Sequence, residues 1–196
     1  LFLYFVSDRI GVPDMRGPLL FLYFACGLLG VPLALALAGR VGKHRAWSLA
    51  MIVTCAVFAT APLIGPGNVA AFALVCAATG LALGFDLSLP AAIQADIIDE
   101  DTAVSAEQRS AQYFAAWSLT TKLALALGVG IAFPVLSLFG FEPGSPNDET
   151  ALFALAVVYG WVPVLLKAVA IWLMWSFPLD EARQSALRER IEAGLA

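Results

Sequence analysis

The sequence predicts an all-α, polytopic membrane protein, and three observations carry that expectation. First, its 196 residues are 61% hydrophobic and only 13% charged, with a mean hydropathy of +0.85. A soluble domain carries about 25% charged and about 45–50% apolar residues, so too little polar surface remains here to cover a water-exposed globule. Second, the apolar excess gathers in runs of about 20 residues, the length that spans a hydrocarbon core of about 30 Å. Third, those runs are continuous and rich in Ala and Leu rather than alternating, which favours helices over barrel strands. Cys26, Cys55 and Cys76 lie inside apolar runs without regular spacing, which excludes a disulfide scaffold. A net charge of −4 with no basic stripe excludes a nucleic-acid partner. The expected partner is the lipid bilayer.

The elements follow in order. Residues 1–6 form a short apolar stub, too short for a signal peptide and without a small-residue cleavage site. The stub is expected to be the tail of a helix, and the chain to be the C-terminal portion of a longer membrane protein. Five spans are predicted at about 18–38, 46–64, 69–98, 111–141 and 150–177, within a transmembrane domain over 1–179. The last three exceed the ~20 residues required, so tilt or protruding ends are expected. Pro32, Pro90, Pro134 and Pro163 fall inside spans, where neighbouring helices can satisfy the freed backbone groups.

The connections mark their sides. One set (7–17, 65–68, 142–149) holds two basic residues, Arg9 and Arg16; the alternate set holds seven, Arg40, Lys43, Arg45, Arg109, Arg183, Arg188 and Arg190. The positive-inside rule places the second set, and the 180–196 tail, in the cytoplasm. In that tail Leu187, Ile191 and Leu195 recur at helical spacing, which fits a surface-lying amphipathic helix or a solvated tail.

Three ionisable residues fall deep in spans: Asp86, Lys122 and Lys167. Each costs about 2.5–3.5 kcal/mol on insertion scales and is a functional candidate by default. At 1.5 Å per residue, Asp86 lies about 15 Å and Lys122 about 20 Å from the cytoplasmic side. Successive spans run antiparallel, so an Asp86–Lys122 pair at mid-membrane is expected, either lining a polar path or fixing helix register. Lys167, flanked by apolar residues on both sides, reads as a snorkelling side chain. At the cytoplasmic rim, Asp96, Asp99, Glu107 and Arg109 face the basic loop of Arg40, Lys43 and Arg45. Acidic residues at a helix C-terminus oppose the dipole unless cations stand nearby, and the set reads as a breakable cytoplasmic gate or as a solvated loop.

The stretch 89–122, LPAAIQADIIDEDTAVSAEQRSAQYFAAWSLTTK, carries Ala-Asp-x-x-Asp at 95–99, then a Glu-x-Arg loop, then an aromatic-rich helix ending in Lys122. With GFDLSLP at 84–90, AGRVGKHR at 38–45 and FPLDEAR at 177–183, it resembles the glycoside–pentoside–hexuronide:cation symporters, the melibiose-permease group of the major facilitator superfamily. The resemblance implies the C-terminal six-helix half of a twelve-helix transporter: the end of helix 7 plus helices 8–12, working by alternating access. It implies a sugar-like substrate and a monovalent coupling cation, Na+ or H+, held mostly by an N-terminal half outside this sequence. It also places Lys122 near the cation and sugar sites and Ser118 at a sugar-facing hydroxyl position. Leu87 stands where the permease carries a tryptophan, leaving Trp117 or Tyr113 to supply a ring, and Gly39 stands where the superfamily's loop has an aspartate.

Other readings are a lipid-like or other non-sugar substrate on the same fold, and an integral membrane enzyme. Such enzymes need a histidine or metal cluster, or an activated nucleophile. The single histidine, His44, sits in the basic loop with no metal-ligand spacing around it. No enzyme, metal or cofactor is predicted.

Overall fold

The computed structural model describes residues 1–105 and 107–175. Every regular element among them is helical. A short turn α1 (Phe2–Tyr4) widens into a π turn at Phe5–Arg9. Then come α2 (Arg16–Val41), α3 (Lys43–Phe58), α4 (Val69–Ser105) and α5 (Ser110–Leu138). Finally α6 (Glu149–Ala156), a π turn at Val157–Trp161 and α7 (Val162–Trp175) run on as one rod. Five stretches are long and apolar enough to cross a membrane: Pro13–Val41, Lys43–Leu63, Val69–Thr102, Ser110–Leu138 and Glu149–Trp175. The tail with Leu187, Ile191 and Leu195 lies outside the described residues.

Two helix ends differ from the sequence expectation. Only Gly42 separates α2 from α3, so Arg40 and Lys43 stand on helix ends instead of in a loop. Gly42 turns the chain with φ +87 and ψ 152, a backbone conformation that side-chain-bearing residues rarely adopt. Helix α4 does not stop near Ile98 but continues to Ser105, which leaves Asp96 inside a helix and not at its end.

Helix α4 is the hub. Its Gly80 and Gly84 form a small-xxx-small pair facing Gly27 and Gly30 of α2, so that the two backbones touch. A Cβ on Gly84 would overlap the backbone of Gly30 and Val31, one on Gly80 the carbonyl of Tyr23, and one on Gly30 the carbonyl of Leu81. Without a hydrophobic force to press helices together in lipid, close backbone approach through small residues is what binds them.

A second cluster gathers at one end of the bundle. Phe5 stacks on Tyr159 at 4.5 Å between centroids and packs on Phe72 at 5.2 Å, with Leu136, Phe141 and Leu155 buried around them. The Gly67 amide donates to the Ile10 carbonyl (2.8 Å) there, and Arg9 Nη2 donates to the Pro62 carbonyl (3.4 Å). The Asp148 side chain caps α6 by accepting from the Ala151 amide (2.8 Å). This end collects the connections poor in Lys and Arg, and Arg40, Lys43, Arg45 and Arg109 lie toward the other. Beside the cluster, burial pushes the Asp8 carboxyl above its ordinary range while the Arg16 charge pulls it partly back. Helix α5 joins the rest mainly through this end, where Leu136 is buried and Phe133 meets Tyr4 edge-on at 6.1 Å. From Ser110 to Ile131 almost all of its side chains are exposed.

The α2–α4 contact makes a quantitative expectation. Gly84→Val in the full-length protein should lower thermal stability by about 1–3 kcal/mol or more, the cost of overpacking against backbone that cannot yield. Gly128→Ala on α5, where a Cβ meets nothing within 4 Å, should be neutral or stabilising by up to about 1 kcal/mol. Thermal unfolding in lipid nanodiscs distinguishes the two, and equal stability of both variants would refute the close crossing.

Candidate functional site: a charged cavity in the helix bundle

Asp86 reaches away from α4 toward α3 and α7. Its Oδ1 accepts from Trp47 Nε1 and its Oδ2 from Lys167 Nζ, both at 2.7 Å. The pair is partly open, with the two side chains 33% and 27% exposed. Trp47 comes from the second turn of α3 and Lys167 from α7, so one carboxylate ties three helices. Two further bonds join α3 to the last rod: Trp161 Nε1 donates to the Ala59 carbonyl (3.1 Å), and the Cys55 thiol to the Val164 carbonyl (3.8 Å).

The carboxylate and ammonium form one end of a cavity of about 330 Å³, within the range of small-molecule pockets. The rings of Phe2, Tyr23, Phe58 and Tyr159 line its walls, and Cys55 and Thr79 also face it. Thr79 Oγ1 spends its proton on the Val75 carbonyl (2.7 Å) and Thr54 Oγ1 on the Ala50 carbonyl (2.8 Å). Apart from the ion pair, the surface presented inward is therefore mainly apolar.

The expected Asp86–Lys122 pair does not form. Asp86 pairs with Lys167 instead, and Lys122 is exposed on α5 together with Ser118 and Trp117, while Tyr113 is half-buried. The reason is packing: α5 meets the bundle at its Phe133–Phe141 end, whereas α7 packs on α3 and carries Lys167 to Asp86. Reading Lys167 as a snorkelling side chain missed its position. On α7 the less exposed residues are Val164, Lys167, Ala170, Ile171 and Met174, a set recurring every three or four residues, and Lys167 belongs to this inward stripe. Trp47 and the cavity-lining rings carry no local signal that would mark them.

The rim residues separate into two kinds. Lys43 Nζ contacts both oxygens of Asp96 at 2.7 Å, and the Asp96 side chain is only 6% exposed. Lys43 opens α3, where a cation opposes the helix dipole, and Asp96 offsets that. Arg109 instead pairs with Glu107, two residues away and exposed (2.7 Å), an interaction of about 0–1 kcal/mol. Arg40 and Arg45 are exposed, and Asp99 is half-buried. No cluster of three metal-ligating side chains occurs among the described residues.

A bundle of membrane-length helices with an ion pair opening into an internal cavity describes a multi-pass membrane protein. The chain belongs to the family described as MFS/sugar transport protein, whose model matches residues 1–181. It is 23% identical over 204 residues to an uncharacterized symporter of Synechocystis sp., an alignment covering 98% of this chain and 37% of that protein. It is 22% identical over 122 residues to the sodium-dependent lysophosphatidylcholine symporter 1-A of Danio rerio, covering 61% of this chain and 23% of that protein. The chain thus spans little more than a third of the first of these curated relatives and less of the second.

Removing one member of a sealed buried pair costs about 3–5 kcal/mol, and a partly open pair less. Asp86→Asn should therefore destabilise the full-length protein measurably by stranding Lys167. Asp86→Asn with Lys167→Met should recover most of that loss, whereas Asp86→Asn with Lys122→Ala should recover none. Unfolding temperatures of the three variants report the partner directly.

Proposed function

We propose that this chain forms the C-terminal six-helix half of a secondary active transporter of the cytoplasmic membrane, the end of helix 7 plus helices 8–12. In this reading it moves a sugar or related glycoside together with a monovalent cation, Na+ or H+, by alternating access. The carrying observation is the unpacked stretch of α5. Lys122 is a cation at membrane depth whose charge is met by no ion pair within the described bundle, and it stands one turn beyond Ser118. Tyr113 and Trp117 are likewise one turn apart on the adjoining stripe.

Such a charge needs an answer from outside this bundle, from the other half of the transporter, a cation site or a substrate. Lys122 and Ser118 supply hydrogen bonds for sugar hydroxyls, and Trp117 and Tyr113 supply apolar ring faces. Asp86, bonded to Lys167 and Trp47, belongs to the same charge system in this reading. The family's description as sugar transport proteins and the symporter names of both relatives support this reading. The sodium-dependent lysophosphatidylcholine symporter among them favours a second one, a lipid-like substrate on the same fold.

At the rim, Lys43 with Asp96 forms the cytoplasmic closure in this reading, and Arg40, Arg45, Asp99, Glu107 and Arg109 provide its outer charges. The seven-to-two asymmetry of basic residues supports a cytoplasmic position for this rim and the C-terminus in this reading.

Counterflow in proteoliposomes of the full-length protein, with a panel of sugars beside lysophosphatidylcholine and with imposed Na+ or H+ gradients, separates the two substrate readings. Lys122→Ala should abolish ion-coupled uptake while expression persists, because its removal strands no partner in this bundle. Normal uptake by this variant would remove Lys122 from the path.

Labelling of single cysteines in a cysteine-free background tests the sidedness and the gate. Ser145→Cys should react from outside intact cells and Gln108→Cys only after permeabilisation. Adding Asp96→Asn should speed labelling at the cytoplasmic rim several-fold by opening that side. An unchanged rate would reduce the Lys43–Asp96 pair to a structural tie.

A further inference from the structure

The last rod does not keep one helical register along its length. In α6 the buried side chains are Ala151, Ala154, Leu155 and Ala156. Counted from Leu155 at 3.6 residues per turn, an unbroken α-helix would next turn Val162, Leu166, Val169 and Leu173 to the same face. All four are exposed. The less exposed face runs instead through Gly160, Lys167, Ala170, Ile171 and Met174, one residue later. The π turn supplies that residue. In it the Val162 amide donates to the Val157 carbonyl, five residues back, so the turn takes up one residue more than an α turn.

We propose that Gly160, seated against Pro62, is the positioning residue that holds this extra residue in place, and so decides that Lys167 and not Leu166 reaches Asp86. Pro62 belongs to the tight turn Ala61–Leu63 that follows α3, and Gly160 and Pro62 are both buried. A Cβ on Gly160 would overlap Cγ and Cδ of the Pro62 ring. In an unbroken α-helix the face toward Pro62 would pass through Val158 and Tyr159, which both carry a Cβ and have no room there. The seat is tied on either side: Tyr159 stacks on Phe5 at 4.5 Å, and Trp161 Nε1 donates to the Ala59 carbonyl (3.1 Å). The same register sets the Val164 carbonyl against the Cys55 thiol (3.8 Å) and Lys167 Nζ on Asp86 Oδ2 (2.7 Å). Straightening the turn would rotate α7 by about 100°. Leu166 would then face Asp86, and a carboxylate and an ammonium would be stranded in one step. Substrate identity has no part in this positioning.

Cys55 reports the register in the full-length protein in nanodiscs, once Cys26→Ser and Cys76→Ser remove the other two thiols. Dibromobimane, a short bifunctional thiol reagent, should bridge Cys55 to Val164→Cys readily and to the outward Leu165→Cys poorly. Gly160→Ala should cut the Val164→Cys bridge several-fold. Adding Pro62→Ala, which removes the two ring atoms in the way, should restore it. A merely structural glycine would lower the unfolding temperature without moving the bridge. Deletion of Val158 takes out the extra residue itself, so the rod can run straight with Lys167 still on Asp86, and this variant should keep the bridge. The deletion decides the matter where Gly160→Ala does not fold. The proposal is overturned by an unchanged bridge in Gly160→Ala, or by one that Pro62→Ala fails to restore. It is equally overturned by a deletion variant that loses the bridge, through slippage or misfolding alike.

Discussion

A carboxylate carried into a membrane-length helix must be answered by the protein, because the hydrocarbon around it cannot solvate it. Of the five carboxylates in helix α4, Asp86 and Asp96 are met by lysines from other helices, and much of its surroundings follows from that. Asp96 takes Lys43 from the first residue of α3, and Asp86 takes Lys167 from α7 and Trp47 from α3. The third neighbour, α2, is held differently: Gly80 and Gly84 bring its backbone into contact at Gly27 and Gly30. The helix thus has one face where atoms must be absent and another where charges must be present. Substitutions on the two faces fail for opposite reasons, overlap on the first and a stranded ion on the second.

Much of this was legible in the sequence. Length, composition and the continuity of the apolar runs led to five helical spans, because bilayer thickness leaves a run of about 20 apolar residues few alternatives. The chemistry of the site was half legible. Asp86 stood out because a carboxylate amid Gly, Phe and Leu must be answered by the protein. Its partner was not legible, because spans adjacent in sequence need not be adjacent in space: α7, not α5, brings its lysine to Asp86.

Depth counting favours the observed pair. Helices α4 and α6–α7 both start from the end poor in Lys and Arg, at Val69 and Glu149. Asp86 and Lys167 then lie about 26 and 27 Å along their helices at 1.5 Å per residue. Sequence proximity and a comparable depth favour Lys122 instead, and the structure decides for Lys167. What sequence could not settle is which side of α4 faces α7, because that depends on the glycine contact with α2 fixing the helix's rotation. The rings that line the cavity were illegible for the same reason. Phe2, Tyr23, Phe58 and Tyr159 come from four elements and look like any apolar residue of a span until the helices are placed.

The contrast between the two lysines of the membrane interior bears on mechanism. Lys167 is committed, since its charge is met inside the bundle and its loss leaves Asp86 with Trp47 alone. Lys122 is uncommitted, exposed on a helix that joins the bundle at one end. A charge that is already satisfied stabilises one arrangement and resists change, whereas an unsatisfied one can exchange partners at little cost within its own domain. For a transporter that alternates between two states, the second kind is the useful one at the moving interface. The first kind keeps the half rigid enough to move as a body. On this division the Asp86–Lys167–Trp47 tie and the glycine crossing hold α2, α3, α4 and α7 together as a unit. Helix α5, with Lys122, Ser118, Trp117 and Tyr113, is left to meet whatever lies across from it. Under the proposed transport reading, the polar residues that matter to transport are then those the bundle fails to satisfy, and the best satisfied ones report on its architecture.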